Sequence, residues 1–591
     1  MCGIAGVMMR DGRPLPDGIL DEFAKALSHR GPDGRGELHR GDVGLVHTRL
    51  AIVDVEKGRQ PFVAPDAVAL IANGEIYNDP DLRRAFSTAG FITGSDCESA
   101  LHLYRARGPA FANGLRGMYA LALHDPADNK LVLARDPFGI KPLYYAETAT
   151  AFCFASEPQA LIAAGLVTTS LNTLVRDETL ALQFSTGAAT AFEHIHRVAP
   201  GETLVVENGR ITARLKHPDI LSVAVVARPD REALAEFNDI WRDSITVHQR
   251  SDVPYGMFLS GGIDSAAVLA MMAQLNDAPV LAYTAAFPGT GVHDERDAAR
   301  AVAEAAGAEQ IEVEVSAADF WQNLPKIAAV MDDPAPDYAV VPTYLLARRA
   351  AKDVKVVLTG EGGDEMFAGY GRYRAAMRPW PLSKRPFRRS ILANSGVLRS
   401  ESKRWREGLG VLEHAILCAQ SADLGAKNAV LRAAQAVDCA AWLPNDLLIK
   451  LDRCLMAFGV EGRVPFLDPR VAQFAFSLQA NQKVRGGLGK WIVRRWLAEN
   501  FPAAASFERK RGFTVPVADW IAAEGARLGP LVARQAGIAE MCVPGKVEGL
   551  FRDVSARTGQ AAWILLFYAL WHERHMLGRR SDGDVFETLS A

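Results

Sequence analysis

The stretch Tyr255-Gly256-Met257-Phe258-Leu259-Ser260-Gly261-Gly262-Ile263-Asp264-Ser265 constrains the fold of this 591-residue chain more than any other. Residues of strand character run into a polar, glycine-rich turn, and the apolar segment Ala266 to Met272 that follows reads as the start of a helix. That order makes an anion cradle. Paired glycines let backbone N–H groups approach a phosphate, Ser260 and Ser265 add hydroxyl donors, and the helix N-terminus adds a favourable dipole. Asp264 would be repelled by a phosphate unless a divalent cation lies between them, so the turn predicts a nucleotide phosphate bound with Mg2+. The plainer alternative is a tight turn, since Ser, Gly and Asp are common turn residues. The Gly-x-x-x-x-Gly-Lys-Ser/Thr pattern is absent from the sequence, so the site is not of the Walker type.

Around this turn, strand and helix patterns alternate. Leu234, Phe237, Trp241 and Ile245 recur at helical spacing; Val280 to Phe287 reads as strand, Asp294 to Ala306 as helix, Gln310 to Val315 as strand, Thr343 to Lys352 as helix and Val354 to Leu358 as strand. Alternation of this kind predicts a parallel sheet covered by helices, with ligands at the strand C-terminal ends. A second turn, Thr359-Gly360-Glu361-Gly362-Gly363-Asp364-Glu365, falls at such an end. Asp364 can contact the cation, and Glu361 can face a substrate ammonium or an incoming amine; a solvated acidic turn is the alternative. Ser-Gly-Gly-Ile-Asp-Ser itself resembles the pyrophosphate loop of enzymes that adenylate a substrate and release pyrophosphate.

The size allows at least two domains. A net charge of −3 gives no sign of nucleic acid or an anionic membrane as partner. Seven cysteines, at 2, 97, 153, 418, 439, 454 and 542, are too scattered for a disulfide framework and form no Cys-x-x-Cys pair. The apolar run Ala561 to Trp571 is about half the ~20 residues a membrane helix needs and reads as a buried core helix. With no secretory signal pattern at the N-terminus, the expectation is a reduced, soluble, cytoplasmic protein.

Cys2 stands where removal of Met1 would leave a thiol and a free α-amine on one residue. An α-amine of pKa ~7.7–8.0 can take the proton of a thiol of pKa ~8.5, so nucleophile and base can share that residue. Met-Cys-Gly-Ile-Ala-Gly resembles the opening of the class II glutamine amidotransferases, whose nucleophile is N-terminal. Further matches follow in order: His29 to Asp33, His47 to Asp54, Asn73 to Asn78, Ser95 to Glu98, Gly114 to Met118 and Arg135 to Tyr144. Glutamine carries a carboxylate and an ammonium, so its pocket needs a cation and an anion. Arg49 suits the carboxylate through its bidentate fork, and Asp96 and the Glu75 region suit the ammonium. Asn73 and the Gly74 N–H can stabilise the oxyanion formed when the thiolate attacks the amide. The resemblance places glutamine binding on Arg49, Leu50, Ala51, Ile52, Val53, Asn73, Gly74, Glu75 and Asp96, with Val53 contributing backbone. The alternatives are a hairpin turn at Asn73-Gly74, a structural Arg49–Asp96 ion pair, and Cys97 and Cys153 as small buried packing residues. Short strand-like runs at Val68 to Ala72, Ala120 to Leu123 and Leu131 to Ala134, and a closing hairpin after Pro200-Gly201, fit the αββα sandwich expected of that family.

The second half resembles the synthetase part of asparagine synthetase. Matches run through Asp333-Pro334, Pro342 to Leu346, Phe367 to Tyr370, Lys450 to Arg453, Glu461 to Asp468, Gly489 to Arg494 and Lys510 to Pro516. The resemblance implies domains at 2–210 and 231–591 with a linker at 211–230, and an ATP-pyrophosphatase-type parallel α/β domain with a helical C-terminal part. It implies ATP bound by Leu259, Ser260, Gly261, Gly262, Asp264, Ser265, Ala285, Thr359, Gly360 and Lys490, Mg2+ held at Asp264 and Asp364 through pyrophosphate, and Glu361 acting on ammonia as it attacks. Lys490 would neutralise the departing pyrophosphate. The implied reaction strips ammonia from glutamine at Cys2 and passes it through an internal dry passage to an acyl-adenylate, aspartate being the first candidate acceptor. Another carboxylate, such as a sugar acid, a peptide or a small metabolite, is the second, and a catalytically idle regulator that binds glutamine is a third reading. A homodimer is expected by family analogy. Ala266, Tyr338, Leu455 and Gly462 depart from the family pattern, which puts acceptor choice in question. Residues 371–440 are expected to be mostly helical.

Overall fold

A computed structural model of the chain describes residues 2–291, 296–378, 390–392, 395–400, 404–420, 426–508, 514–580 and 582–591. Of the expected motif Lys510 to Pro516, residues 510–513 lie outside the described residues.

Strands buried on both faces build the N-terminal half. One antiparallel sheet contains β1 (Gly3–Met9), β2 (Gly34–Arg40), β3 (Val43–Arg49), β8 (Tyr144–Glu147), β9 (Ala151–Ala155) and β10 (His196–Arg197), in the order β10-β8-β9-β1-β3-β2. A second contains β4 (Phe62–Val63), β5 (Ala69–Ile76), β6 (Gly117–Asp125), β7 (Lys130–Arg135), β11 (Glu202–Glu207) and β12 (Arg210–Lys216), in the order β12-β11-β7-β6-β5-β4. Alternate residues point to opposite faces. Ile4, Met8, Val43 and Leu45 therefore meet Ile71, Ala120, Ala122 and Leu133 between the sheets. Ala5 and Val7 turn the other way, onto Phe23 and Leu161 of the helices Ile19–Ala26 and Pro158–Ala163. On the far side Leu70, Tyr119 and Leu121 pack on Leu101 and Leu103 of the helix Glu98–Arg107. The result is helix, sheet, sheet, helix.

The strand β12 continues into the 211–230 stretch, and a 19-residue helix, Asp230–His248, opens the second half. There β13 (Tyr255–Phe258), β14 (Leu281–Ala286), β15 (Glu309–Glu314), β16 (Val356–Leu358) and β17 (Glu461–Arg463) form one parallel sheet in the order β15-β14-β13-β16-β17. The expected helix after the first turn is Ile263–Leu275, nearly all buried because it is wrapped by its neighbours. The described parts of 371–440 include the helices Gly371–Ala376, Glu407–Gln420 and Ala426–Val437. The helix Gly559–His575 is buried on almost every side, and no helix among the described residues is long and apolar enough to cross a membrane.

The two halves meet through buried ion pairs. The Arg30 guanidinium, fully buried, donates to both carboxylate oxygens of Asp452 at 2.7 and 2.9 Å and to Glu157 at 2.7 Å. Arg453 reaches Asp452 and Asp332, and Arg197 holds Asp333 with two bonds of 2.7 Å. The expected match at Asp333 and at Lys450 to Arg453 thus lies largely in this seam.

Candidate functional site

Cys2 enters β1 with its side chain almost wholly buried. Its backbone N–H donates to Asn73 Oδ1 at 3.0 Å, its carbonyl accepts from Arg30 Nε at 3.2 Å, and Sγ lies 3.9 Å from the Leu50 carbonyl. Burial pushes the thiol up, while the Leu50 contact and the Arg49 charge oppose it. Asn73 lies inside β5, opposite Ala120 of β6, so the Asn-Gly pair is mid-strand and the hairpin alternative fails. Gly74 is required there, because a Cβ would lie 2.3 Å from the Met118 carbonyl. Asn73 Nδ2 is buried and has no hydrogen-bond partner among the described residues. A free donor on the amide that accepts from the Cys2 N–H suits an oxyanion formed at that residue, although Asn73 itself is not among the residues lining the recess beside it.

A recess here is lined by Cys2, Arg49, Leu50, Ile52, Val53 and Gly74, with Glu75, Asp96 and Cys97 also on its wall. Arg49 donates to the carbonyls of Val55 and Asp54 at 2.8 and 2.6 Å, and no ion pair joins it to Asp96 among the described residues. Ala51 is tied instead to Asp33, its N–H donating at 2.8 Å. Burial lifts the Asp96 carboxyl to about 6, against the N–H of Ile76 that donates to it. Glu75 is pushed up by burial and held by Arg463 at 2.9 Å. Gly58, Gln60, Ser95 and Glu461 also line the recess and were not expected. Glu461 comes from β17, at the edge of the other half's sheet. Its stretch matched the family pattern, yet nothing in Glu-Gly-Arg announces a side chain that reaches the thiol pocket.

At the other centre the first turn ties itself together. The Gly262 N–H donates to Ser260 Oγ at 3.1 Å, the Ser260 N–H donates to Ser265 Oγ at 3.1 Å, and the Leu259 N–H donates to the Tyr283 carbonyl at 2.9 Å. Ala285 lies on the neighbouring β14. The second turn packs directly on the first, because a Cβ on Gly363 would lie 2.5 Å from Asp264 Oδ1. Lys490, in the left-handed region at φ 56°, sends Nζ between Asp264 and Asp364, 2.8 Å from the latter. Burial works against the Lys490 ammonium, and the two carboxylates outweigh it and hold it above the usual lysine range. Burial lifts Asp264 to about 6 despite Lys490. Asp264 Oδ1 is buried without a hydrogen-bond partner among the described residues. Two carboxylates, one with a free oxygen, beside backbone amides suit a cation shared with phosphates. Glu361 lies apart from this trio, 3.4 Å from Lys450 Nζ.

One strand touches both centres. Glu461 of β17 lines the thiol recess, while the Arg463 carbonyl accepts from the Thr359 N–H at 2.9 Å, at the start of the second turn.

A family profile described as Asparagine synthase matches residues 236–573, and one described as Glutamine amidotransferase domain matches residues 1–217. Asparagine synthetase [glutamine-hydrolyzing] 1 of Bacillus subtilis (strain 168) is 31% identical over 624 residues, covering 97% of this chain and 96% of the relative. A putative asparagine synthetase [glutamine-hydrolyzing] of Mycobacterium tuberculosis (strain ATCC 25618 / H37Rv) is 33% identical over 640 residues, covering 97% of each. "Amidase chyE" of Penicillium rubens is 31% identical over 424 residues, covering 65% of this chain and 62% of its own length. The class is that of ATP-dependent carbon–nitrogen ligases that take nitrogen from glutamine. Within that class, the chain belongs to the glutamine-hydrolysing asparagine synthetase family.

Proposed function

We propose that this protein makes asparagine from aspartate, ATP and glutamine, with residues 2–210 as glutaminase and 231–591 as synthetase. Cys2 attacks the glutamine side-chain amide, and Asn73 Nδ2 with the Gly74 N–H receives the oxyanion. Arg49 takes the α-carboxylate of glutamine, and Asp96 its ammonium. In the second half Ser260 to Ser265 hold the ATP phosphates, Leu259, Ala285, Thr359 and Gly360 flank the nucleoside, and Lys490 stabilises the pyrophosphate as it leaves. Asp264 and Asp364 would hold Mg2+, which supplies charge neutralisation on the phosphates. Glu361 accepts a proton from ammonia as it attacks the acyl-adenylate. Ammonia reaches it through a passage beside β17, where water would otherwise protonate it.

The observation that carries this reading is the free Asn73 Nδ2 beside Cys2 on one side of β17, with the Asp264–Lys490–Asp364 cluster beyond its other end. The test is transfer from amide-15N glutamine with aspartate and MgATP in a large excess of unlabelled ammonium. Labelled asparagine, AMP and pyrophosphate in equal amounts support it; label diluted to the bulk ammonium ratio rejects the passage. A second reading transfers nitrogen to another carboxylate. It is favoured by Tyr338, which departs from the family pattern and directly follows Asp337, the partner of Lys450 at 2.8 Å. Pyrophosphate release with other acids and none with aspartate would establish it.

A further inference from the structure

Lys483, the last residue of the short helix Ala480–Lys483, ends where a cation is costly. It is 0% exposed, and no carboxylate pairs with it among the described residues. Its Nζ donates to Gln435 Oε1 at 2.9 Å and stands 4.7 Å from the centre of the Phe476 ring, which the Arg432 guanidinium approaches to 5.8 Å. Burial and then the Arg432 charge drive the Lys483 amine down to about 7; the Cys439 thiol pulls the other way, but burial pushes that thiol up and keeps it protonated. A methionine would fill the same space without burying an unpaired amine. The bond to Gln435 is therefore what the lysine serves.

Gln435, also fully buried, has the Lys483 amine on its oxygen, so its NH2 group turns the other way and donates to the carbonyls of Glu365 and Met366 at 2.5 and 2.8 Å. Those carbonyls belong to the last turn of the five-residue helix Gly363–Phe367, which the chain leaves at Ala368 in the left-handed region, φ 59°. Carbonyls at a helix end lack partners within the helix, and Gln435 supplies them from outside. A helix this short has little stability of its own. It nevertheless carries both attachments of Lys490: Asp364, near its start, meets Lys490 Nζ at 2.8 Å, and the carbonyl of Phe367, its last residue, accepts from the Lys490 N–H at 2.9 Å. Resting on the adenylation reading, we infer that Lys483 is a positioning residue for that step: through Gln435 it fixes the helix that sets Asp364 against Lys490, where pyrophosphate leaves.

The test compares full-length Lys483→Met, Gln435→Leu and the double variant with wild type, in pyrophosphate release from MgATP and ammonium with aspartate, or with whichever acid the wild type activates. Each single variant is expected to lose about 10- to 100-fold in kcat, since a displacement of about 1 Å can cost ~100-fold. KM for ATP is expected to stay within about twofold, because the interaction lost acts on the departing pyrophosphate. Glutamine hydrolysis is expected unchanged. Gln435→Leu orphans the buried amine and should unfold at lower urea; the double variant removes that amine and should recover resistance to urea, yet recover none of the lost kcat. Activity that returns with stability in the double variant assigns the pair to stability alone and overturns the inference, as does failure of the double variant to fold. A kcat within about twofold of wild type in folded Lys483→Met also overturns it. Each of these leaves the adenylation reading in place, whereas no release by the wild type with any acid overturns both.

Discussion

Replacing Asp452 by asparagine tests whether the glutaminase centre is held in place by the synthetase half. Asp452 is 2% exposed and accepts two bonds from Arg30 and one from Arg453. Burial opposes its charge, but Arg30 outweighs that and keeps its carboxyl below the usual range. Asp452→Asn keeps the shape and one acceptor oxygen while taking one of two negative partners from each guanidinium, Arg30 retaining Glu157 and Arg453 retaining Asp332. Removing one member of a buried ion pair costs about 3–5 kcal/mol, and the retained acceptor puts the expected loss near the lower end. That is a large part of the roughly 5–15 kcal/mol by which a domain is stable. Arg30 also donates to the Cys2 carbonyl at 3.2 Å, so a loosened Arg30 releases the nucleophile, and a displacement of about 1 Å can cost ~100-fold in rate. All 10 tryptophans lie after residue 230, so their fluorescence in urea reports the second half, while glutamine hydrolysis reports the first. The expected outcome is hydrolysis lost at lower urea than the fluorescence change, with a reduced kcat in buffer. Arg30→Met combined with Asp452→Leu should recover stability but not hydrolysis. Wild-type kcat together with an unfolding midpoint within error of wild type would refute the strut.

Three further outcomes are expected. Asn73→Ala should lower kcat for glutamine hydrolysis by about 100- to 1000-fold with little change in KM, and should leave synthesis from added ammonia intact; an unchanged kcat would remove Asn73 from the oxyanion site. Gly369→Ala should abolish pyrophosphate formation while glutamine hydrolysis persists, because its Cβ would lie 1.7 Å from Asp364 Oδ1 and 2.2 Å from Lys490 Cε. Retained formation would show that this packing is not needed. Since burial lifts Asp264 to about 6, acidification through that value protonates the carboxylate that faces Lys490, so ATP–pyrophosphate exchange should fall as pH drops below it. Exchange that stays flat down to pH 5 would show that Asp264 keeps its charge through that range when Mg2+ and ATP are bound.

The parts legible in the sequence are those whose signal is local. The Ser260 to Ser265 turn carries its own hydrogen-bonding residues, and the apolar runs at Val68 to Ala72, Ala120 to Leu123 and Leu131 to Ala134 mark strands that the structure forms as parts of β5, β6 and β7. Contacts that join distant charged residues were not legible. Arg30 and Asp452 belong to separate motifs 422 residues apart, and only the packed halves show that each is the other's counter-ion. The three residues of β17 include two charges and a glycine, a poor strand by propensity; tertiary pairing with Val356 to Leu358 decides it. Asn73-Gly74 carries a strong local hairpin signal, yet the sheet overrides it, because close approach by Met118 and Tyr119 is what the glycine serves.

The departures from the family pattern separate on the same physical grounds. A Cβ on Gly462 would lie 3.1 Å from Leu455 Cδ2 and 3.2 Å from Leu451 Cδ2, so these leucines fill the space that a side chain at 462 would need. Ala266 is buried in the helix behind the first turn, where an apolar residue belongs. Tyr338 is different: its ring centroid stands 6.3 Å from that of Trp563, and it directly follows Asp337, which Lys450 Nζ approaches to 2.8 Å. Of the four departures, this is the one next to charged groups that can read a substrate, so differences in acceptor between this chain and its relatives are to be sought there.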